Sequence, residues 1–94
     1  MGKVTVQLHT FLRSAAGKEN VELLLNPNSH LGNLLQILEE EYPVLSPLLK
    51  GESGYMHLMI LVNNQNIGLL TKEALEKTLK DGDTVSILEP CAAG

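Results

Sequence analysis

Leu31-Gly32-Asn33-Leu34-Leu35-Gln36-Ile37-Leu38-Glu39-Glu40-Glu41-Tyr42 is the stretch that decides how the rest of the chain has to fold. Leu31, Leu34, Leu35, Leu38 and Tyr42 recur at intervals of three and four, so a helix here carries one apolar stripe that must be covered. Asn26-Pro27-Asn28-Ser29 breaks the pattern on its N-terminal side, and Ser29 or His30 is placed to cap it. Glu39-Glu40-Glu41 closes the helix before Tyr42-Pro43. Acids there are unfavourable with the macrodipole, so the triplet reads as a solvated face.

Strands supply the cover. Val4, Val6 and Leu8 alternate with Lys3, Thr5, Gln7 and His9, the period of a strand with one buried face. Leu12 to Lys18 reads as a connector in which Gly17 is available for a positive-φ turn, and Val21 to Leu25 returns as a second strand. Beyond the helix, Val44 to Gly54 is punctuated by Pro47, Gly51 and Gly54 and is expected to be a surface loop. His57 to Val62 is almost continuously apolar and suits a central strand. Asn63 to Asn66 is a turn, Leu69 to Leu79 a short helical or irregular crossover, and Asp81-Gly82-Asp83 a tight turn into the last strand. On that strand Val85 and Ile87 face in, with Ser86 and Leu88 opposite. Two hairpin strands, a helix and returning strands close only if the helix stripe lies across one face of a mixed sheet. The expected fold is α+β, a ubiquitin-like β-grasp domain over residues 1–90 with a flexible tail at 91–94.

Composition narrows the function. The chain has 94 residues, no Trp and a single Phe, so aliphatic side chains must fill one core. Net charge is −4 and the seven basic residues are dispersed, which argues against nucleic acid as a partner, since phosphate neutralisation needs a concentrated positive face. The longest apolar runs are far too short to span a bilayer, so no membrane partner is expected. One cysteine rules out an internal disulfide framework, and a cytoplasmic location is the expectation. His9, His30 and His57 are scattered without partners at ligand spacing, so no metal site is assigned. No nucleophile-base pair or phosphate loop is visible, and the chain is not expected to be an enzyme.

Several segments, none specific alone, occur in a telling order: Phe11-Leu12-Arg13 with Ala16-Gly17, Leu31-Gly32-Asn33-Leu34-Leu35, Tyr42-Pro43, Val62-Asn63, and Leu79-Lys80-Asp81-Gly82-Asp83-Thr84-Val85. Together with the small-residue tail Cys91-Ala92-Ala93-Gly94 they resemble the MoaD/ThiS family of ubiquitin-like sulfur carriers over nearly the whole chain. The resemblance implies a carrier whose terminal glycine, here Gly94, is adenylated by an ATP-dependent adenylyltransferase of the ubiquitin-activating type. The acyl-adenylate then becomes a thiocarboxylate that donates sulfur. It implies no bound cofactor, ATP being consumed by the activating enzyme. In the molybdopterin branch the tail enters the large catalytic subunit of the synthase. A carboxylate is a poor electrophile, and adenylation gives it a leaving group. A terminal glycine has no side chain to obstruct a narrow active site.

The tail departs from the family at Ala93, where Gly is usual, and at Glu89-Pro90, where the pterin branch commonly has Pro-Pro. A methyl group at the penultimate position restricts φ and adds bulk, which leaves open slower activation, a dedicated activating enzyme or an inert tail. Cys91-Ala92-Ala93-Gly94 formally matches a prenylation box, but Gly is not a usual last residue there and no polybasic stretch precedes it. Cys91 is therefore read as a small tail residue. For docking, the sheet face away from the helix and the root of the tail are the expected surfaces, with Phe11, Leu58, Ile60, Leu88, Pro90, Cys91, Ala92 and Ala93 as the partner-binding candidates. Three function classes follow: sulfur carriage for molybdopterin, thiamine or another thio-metabolite; protein modification through an isopeptide bond; and a β-grasp interaction module without activation.

Overall fold

Alternation writes the first hairpin. In β1 (Gly2–Leu8) Val4, Val6 and Leu8 are buried and Lys3 is exposed, and in β2 (Asn20–Leu25) Val21, Leu23 and Leu25 are buried. The strands pair antiparallel with Val4 opposite Leu23 and Val6 opposite Val21, which gathers the apolar side chains on one face. The computed structural model describes residues 2–51, 54–55, 58–69 and 71–88. Met56, His57 and Glu89 to Gly94 lie outside them.

The connector between β1 and β2 is a helix, α1 (Thr10–Ala16), with Leu12 buried and Ala15 and Ala16 packed against the core. Gly17 ends it at φ 76 with its N–H donated to the Arg13 carbonyl (2.9 Å), the left-handed cap that an L side chain adopts only at a cost. After β2 comes α2 (Leu31–Glu41), in which Leu31, Leu34, Leu35 and Leu38 are fully buried, as the stripe requires. At about 1.5–3 kcal/mol for each such side chain, burial of this stripe holds the helix on the sheet. His30 occupies the N-cap position, and its backbone N–H donates to Asn33 Oδ1 (3.0 Å). Glu40 and Glu41 are solvated as expected, but Glu39 turns inward. It accepts a hydrogen bond from the Ser46 hydroxyl (3.0 Å) and pairs with Lys50 Nζ (3.3 Å).

Within the segment expected to be a loop, Val44 to Gly51 forms regular structure and contributes to the core. A 3₁₀ turn at Pro43–Leu45 runs into α3 (Ser46–Leu49), followed by the two-residue pair β3 (Lys50–Gly51) and β4 (Gly54–Tyr55). Pro43 and Pro47 occupy first-turn positions, where a missing N–H costs nothing, and Leu45 and Leu49, four residues apart, are fully buried.

β5 (Met59–Val62) and β6 (Gln65–Leu69) form a second hairpin across Asn63 (φ 52) and Asn64 (φ 68), two successive left-handed residues of the kind that suits a two-residue hairpin turn. β6 was not expected; its stretch Gln65-Asn66-Ile67-Gly68 has one β-branched residue and no alternation. A single helical turn, α4 (Lys72–Leu75), is capped by Thr71 Oγ1 accepting from the Ala74 N–H (3.2 Å). The last strand, β7 (Thr84–Leu88), pairs parallel with β1 and antiparallel with β5, giving a mixed sheet of order β2-β1-β7-β5-β6. The expected β-grasp fold is the one observed, and the last strand lies at the centre of the sheet.

Candidate functional site: the root of the terminal strand

Central placement of β7 is secured by the residues around the Asp-Gly-Asp turn. Asn63 Oδ1 accepts the Thr84 N–H (2.9 Å), Asn63 Nδ2 donates to Asp83 Oδ1 (2.9 Å), and Asp83 Oδ2 accepts the Lys80 N–H (2.8 Å). On the other side Asp81 Oδ1 accepts the Lys3 N–H (2.8 Å), and Gly82, at φ 89, donates its N–H to the Lys3 carbonyl (2.9 Å). Two carboxylates and one amide thus tie the start of β7 to β1 on one side and to the β5–β6 turn on the other. These motif residues are scaffold. They set where β7 begins and therefore where it ends.

The strand ends at Leu88, with Leu8 of β1 beside Ile87 and Met59 of β5 opposite Leu88. Register separates the side chains of this region onto two faces. Val85 and Ile87 line up with Val6, Leu8, Val62 and Ile60 and are buried toward the helix. Ser86 lines up with Gln7 and Leu61, and Leu88 with Met59, on the open face. Ser86 is buried even there, its hydroxyl donating to Gln7 Oε1 (2.8 Å), so a cross-strand polar pair covers the middle of β7.

Leu58 and Ile60, expected on the docking face, are instead core residues at 1% and 0% exposure. An uninterrupted apolar run does not say which of its two faces looks inward, and the β5 register puts Ile60 beside Ile87 on the helix side. Met59, 40% exposed, and the half-buried Leu61 take the open face in their place. The signal available for them was the period of two itself. Leu88 is half-buried on that face beside Met59. Phe11 is 70% exposed on α1, which starts two residues past the end of β1, the strand end that flanks Ile87. Its position follows an unusual backbone, since Thr10 has φ 48, a left-handed value that a β-branched residue rarely takes. Met59 and Leu88 therefore sit at the end of the sheet from which the chain continues toward Gly94, Leu61 lies on the same face beside Ser86, and Phe11 is exposed on the helix that follows β1. The remaining candidates, Pro90, Cys91, Ala92, Ala93 and Gly94, lie outside the described residues.

Among the described residues no group of three or more His, Cys, Asp or Glu side chains is assembled to hold a metal ion. His9 and His30 occupy the N-cap positions of α1 and α2, at separate places in the fold. No helix among the described residues is long and apolar enough to cross a membrane.

A five-stranded mixed sheet grasping one long helix, with the last strand at its centre, defines a ubiquitin-like β-grasp protein. The chain belongs to the ThiS family, whose sequence model matches residues 6–94. Small archaeal modifier protein 1 from Methanosarcina acetivorans is 33% identical, over 100% of this chain and 98% of that one, with a TM-score of 0.77. The crystal structure of the Haloferax volcanii protein SAMP1 superposes with a TM-score of 0.85 at 24% identity, covering 99% and 100% of the two chains, a likeness of fold. A complex of subunits 1 and 2 of molybdopterin-converting factor from Helicobacter pylori 26695 matches at 25% identity and TM-score 0.61 over 98% of this chain and 99% of that one. No curated protein matches the sequence.

Proposed function

We propose that this protein is a sulfur carrier of molybdopterin biosynthesis, acting through the carboxylate of Gly94 and not as an enzyme in its own right. The observation that carries the reading is the coincidence of two features: the family match runs through to Gly94, and β7, which leads there, is the central strand of the sheet. A tail rooted at a central strand is presented in a fixed direction while needing no contact of its own with the core.

The chemistry asks little of the carrier beyond that presentation. An oxygen of the Gly94 carboxylate attacks the α-phosphorus of ATP on an adenylyltransferase of the ubiquitin-activating type, and pyrophosphate leaves. A sulfur nucleophile then adds to the acyl carbon, and AMP leaves as the acyl C–O bond breaks. Sulfide gives the thiocarboxylate directly, whereas a persulfide gives an acyl disulfide whose S–S bond a second thiol cleaves, that thiol ending in a disulfide with the donor sulfur. The product is a thiocarboxylate in which one oxygen has been replaced by sulfur. The apolar surface of Phe11, Met59, Leu61 and Leu88 supplies a docking area for the activating enzyme and for a large synthase subunit, and a two-subunit converting-factor complex among the related structures supports the second partner. Protein modification is the second reading, favoured by the 33% identity to a protein named as a modifier. It shares the adenylate and differs only in having a lysine amine, in place of sulfur, displace AMP.

ATP–pyrophosphate exchange by the adenylyltransferase, with this chain as the acceptor, tests the activation step. Exchange that depends on the chain and is lost when Gly94 is removed, with an unchanged circular dichroism spectrum, is the expected result. Exchange that survives removal of Gly94 overturns the role of that residue.

A further inference from the structure

The edge of the sheet furthest from β6 is formed by β2, and among the described residues no strand pairs with its outer side. Its ladder with β1 shows which backbone groups face outward. The Leu8 N–H donates to the Glu19 carbonyl (2.8 Å), so in the antiparallel alternation Val21, Leu23 and Leu25 are the residues that exchange hydrogen bonds with Val6, Val4 and Gly2. The Thr5 N–H, donated to Asp83 of the neighbouring strand connection (3.0 Å), agrees with that phase. Asn20, Glu22 and Leu24 consequently aim their N–H and C=O groups away from the sheet. Such an edge is a template for another strand, and here it carries neither a proline nor a bulge to blunt it.

Beside the edge, between β2 and α2, runs a groove of about 500 Å³. Leu24, Asn33, Gln36, Ile37 and Glu40 are among its lining residues. A strand added to β2 would direct alternate side chains to the groove and to the open face. On the groove side they meet the half-buried Ile37 and the exposed carboxylate of Glu40. On the open side they meet Leu24, 60% exposed, and Glu22. Each face thus offers one apolar and one acidic neighbour. Glu22 pairs with Lys3 (3.2 Å), but both side chains are more than half exposed, and an ion pair of that kind contributes little enough to be exchanged for another cation.

We propose that the β2 edge is a docking site for an extended, basic segment of a partner protein, which adds as a sixth strand. Its apolar side chains rest on Ile37 and Leu24, and its Lys or Arg side chains pair with Glu40 and Glu22. The charge pattern selects against a second copy of this chain. Antiparallel pairing of two β2 strands that uses all three outward residues centres on Glu22 and sets the two carboxylates side by side, which is destabilising, and the chain as a whole carries −4. A basic strand reverses both terms. The site is separate from the apolar surface at the end of β7, because β1 lies between the two strands. Both can be occupied together.

The probe is an acetylated and amidated peptide of sequence Val-Val-Lys-Lys-Val-Val, titrated into the full ¹⁵N-labelled chain, with Val-Val-Glu-Glu-Val-Val as the control. The basic peptide is expected to shift the amides of Asn20, Glu22 and Leu24 to saturation and to slow their hydrogen exchange, with the acidic peptide about tenfold weaker, a difference of about 1.4 kcal/mol. Leu24→Pro removes an outward N–H without touching the β1 ladder, and the double variant Glu22→Lys, Glu40→Lys reverses the charges. Each is expected to weaken the basic peptide about fivefold or more while leaving the circular dichroism spectrum unchanged. Shifts centred on Met59 and Leu88, equal response to both peptides, protection of β2 amides by self-association in the absence of peptide, or no saturation at roughly millimolar peptide would each overturn the proposal.

Discussion

Ile60 and Met59 are neighbours in sequence and opposites in the structure, so truncating each to alanine separates the core from the docking surface. Ile60 is fully buried beside Ile87. Ile60→Ala deletes three methyl or methylene groups at about 0.8 kcal/mol each, roughly 2.4 kcal/mol of transfer free energy. The space left between two central strands cannot close completely, which raises the expected loss to about 3–4 kcal/mol. For a domain of this size each kcal/mol shifts the melting temperature by about 4–8 °C, so the midpoint should fall by roughly 12–32 °C. Met59→Ala removes a side chain that is already 40% exposed on the other face, and should cost about 1 kcal/mol or less. Thermal and urea unfolding followed by circular dichroism measure both, with equal urea slopes checking that each change lies in stability and not in the unfolded chain. Equal losses for the two variants, or a loss below about 1 kcal/mol for Ile60→Ala, would refute the assignment of the two faces.

Three further perturbations probe the turn, the helix end and the docking surface. Asn63→Gly keeps the left-handed turn residue permissible but deletes both side-chain hydrogen bonds to the Asp83-Thr84 segment, and should cost about 1–2 kcal/mol and speed hydrogen exchange at the Thr84 amide. Glu39→Ala, which strips Ser46 and Lys50 of a shared acceptor, should cost about 1–2 kcal/mol in urea unfolding, whereas Glu40→Ala should change stability by less than about 0.5 kcal/mol. The double variant Phe11→Ala, Met59→Lys should retain its melting temperature within a few degrees and raise the KM of the activating enzyme for this chain about tenfold or more, measured by pyrophosphate exchange.

Strong periodicity made much of the fold legible. The Leu31 to Leu38 stripe, the β1 alternation and the Asp81-Gly82-Asp83 turn are found where their patterns put them, since each is a local rule with a single outcome. What escaped was structure decided by tertiary contact. α1 has one fully buried side chain, Leu12, and Pro43 to Leu49 carries two prolines that look like breakers until their first-turn positions are seen. β6 holds its place through pairing with β5, and its own residues say little. Among the candidate docking residues, the exposure of Phe11 and the open-face position of Leu88, which follows the buried Ile87 on an alternating strand, were readable. Leu58 and Ile60 were not, because a run apolar on both faces leaves the phase to the neighbouring strands, and that same phase brings Met59 and Leu61 outward. The ordered motif around Val62-Asn63 and Lys80-Asp81-Gly82-Asp83 carried the family resemblance, and in the fold its side chains hold the start of β7 in place.

Whether Gly94 carries sulfur is measured by intact-mass spectrometry after incubation with ATP, a sulfur donor and the activating enzyme of the same cell. The expected result is a gain of about 16 mass units, one oxygen exchanged for sulfur, that localises to the C-terminal peptide and disappears on deletion of Gly94. An unchanged mass in the presence of an enzyme that activates another carrier, or the same gain on a chain lacking Gly94, would contradict sulfur carriage at this residue.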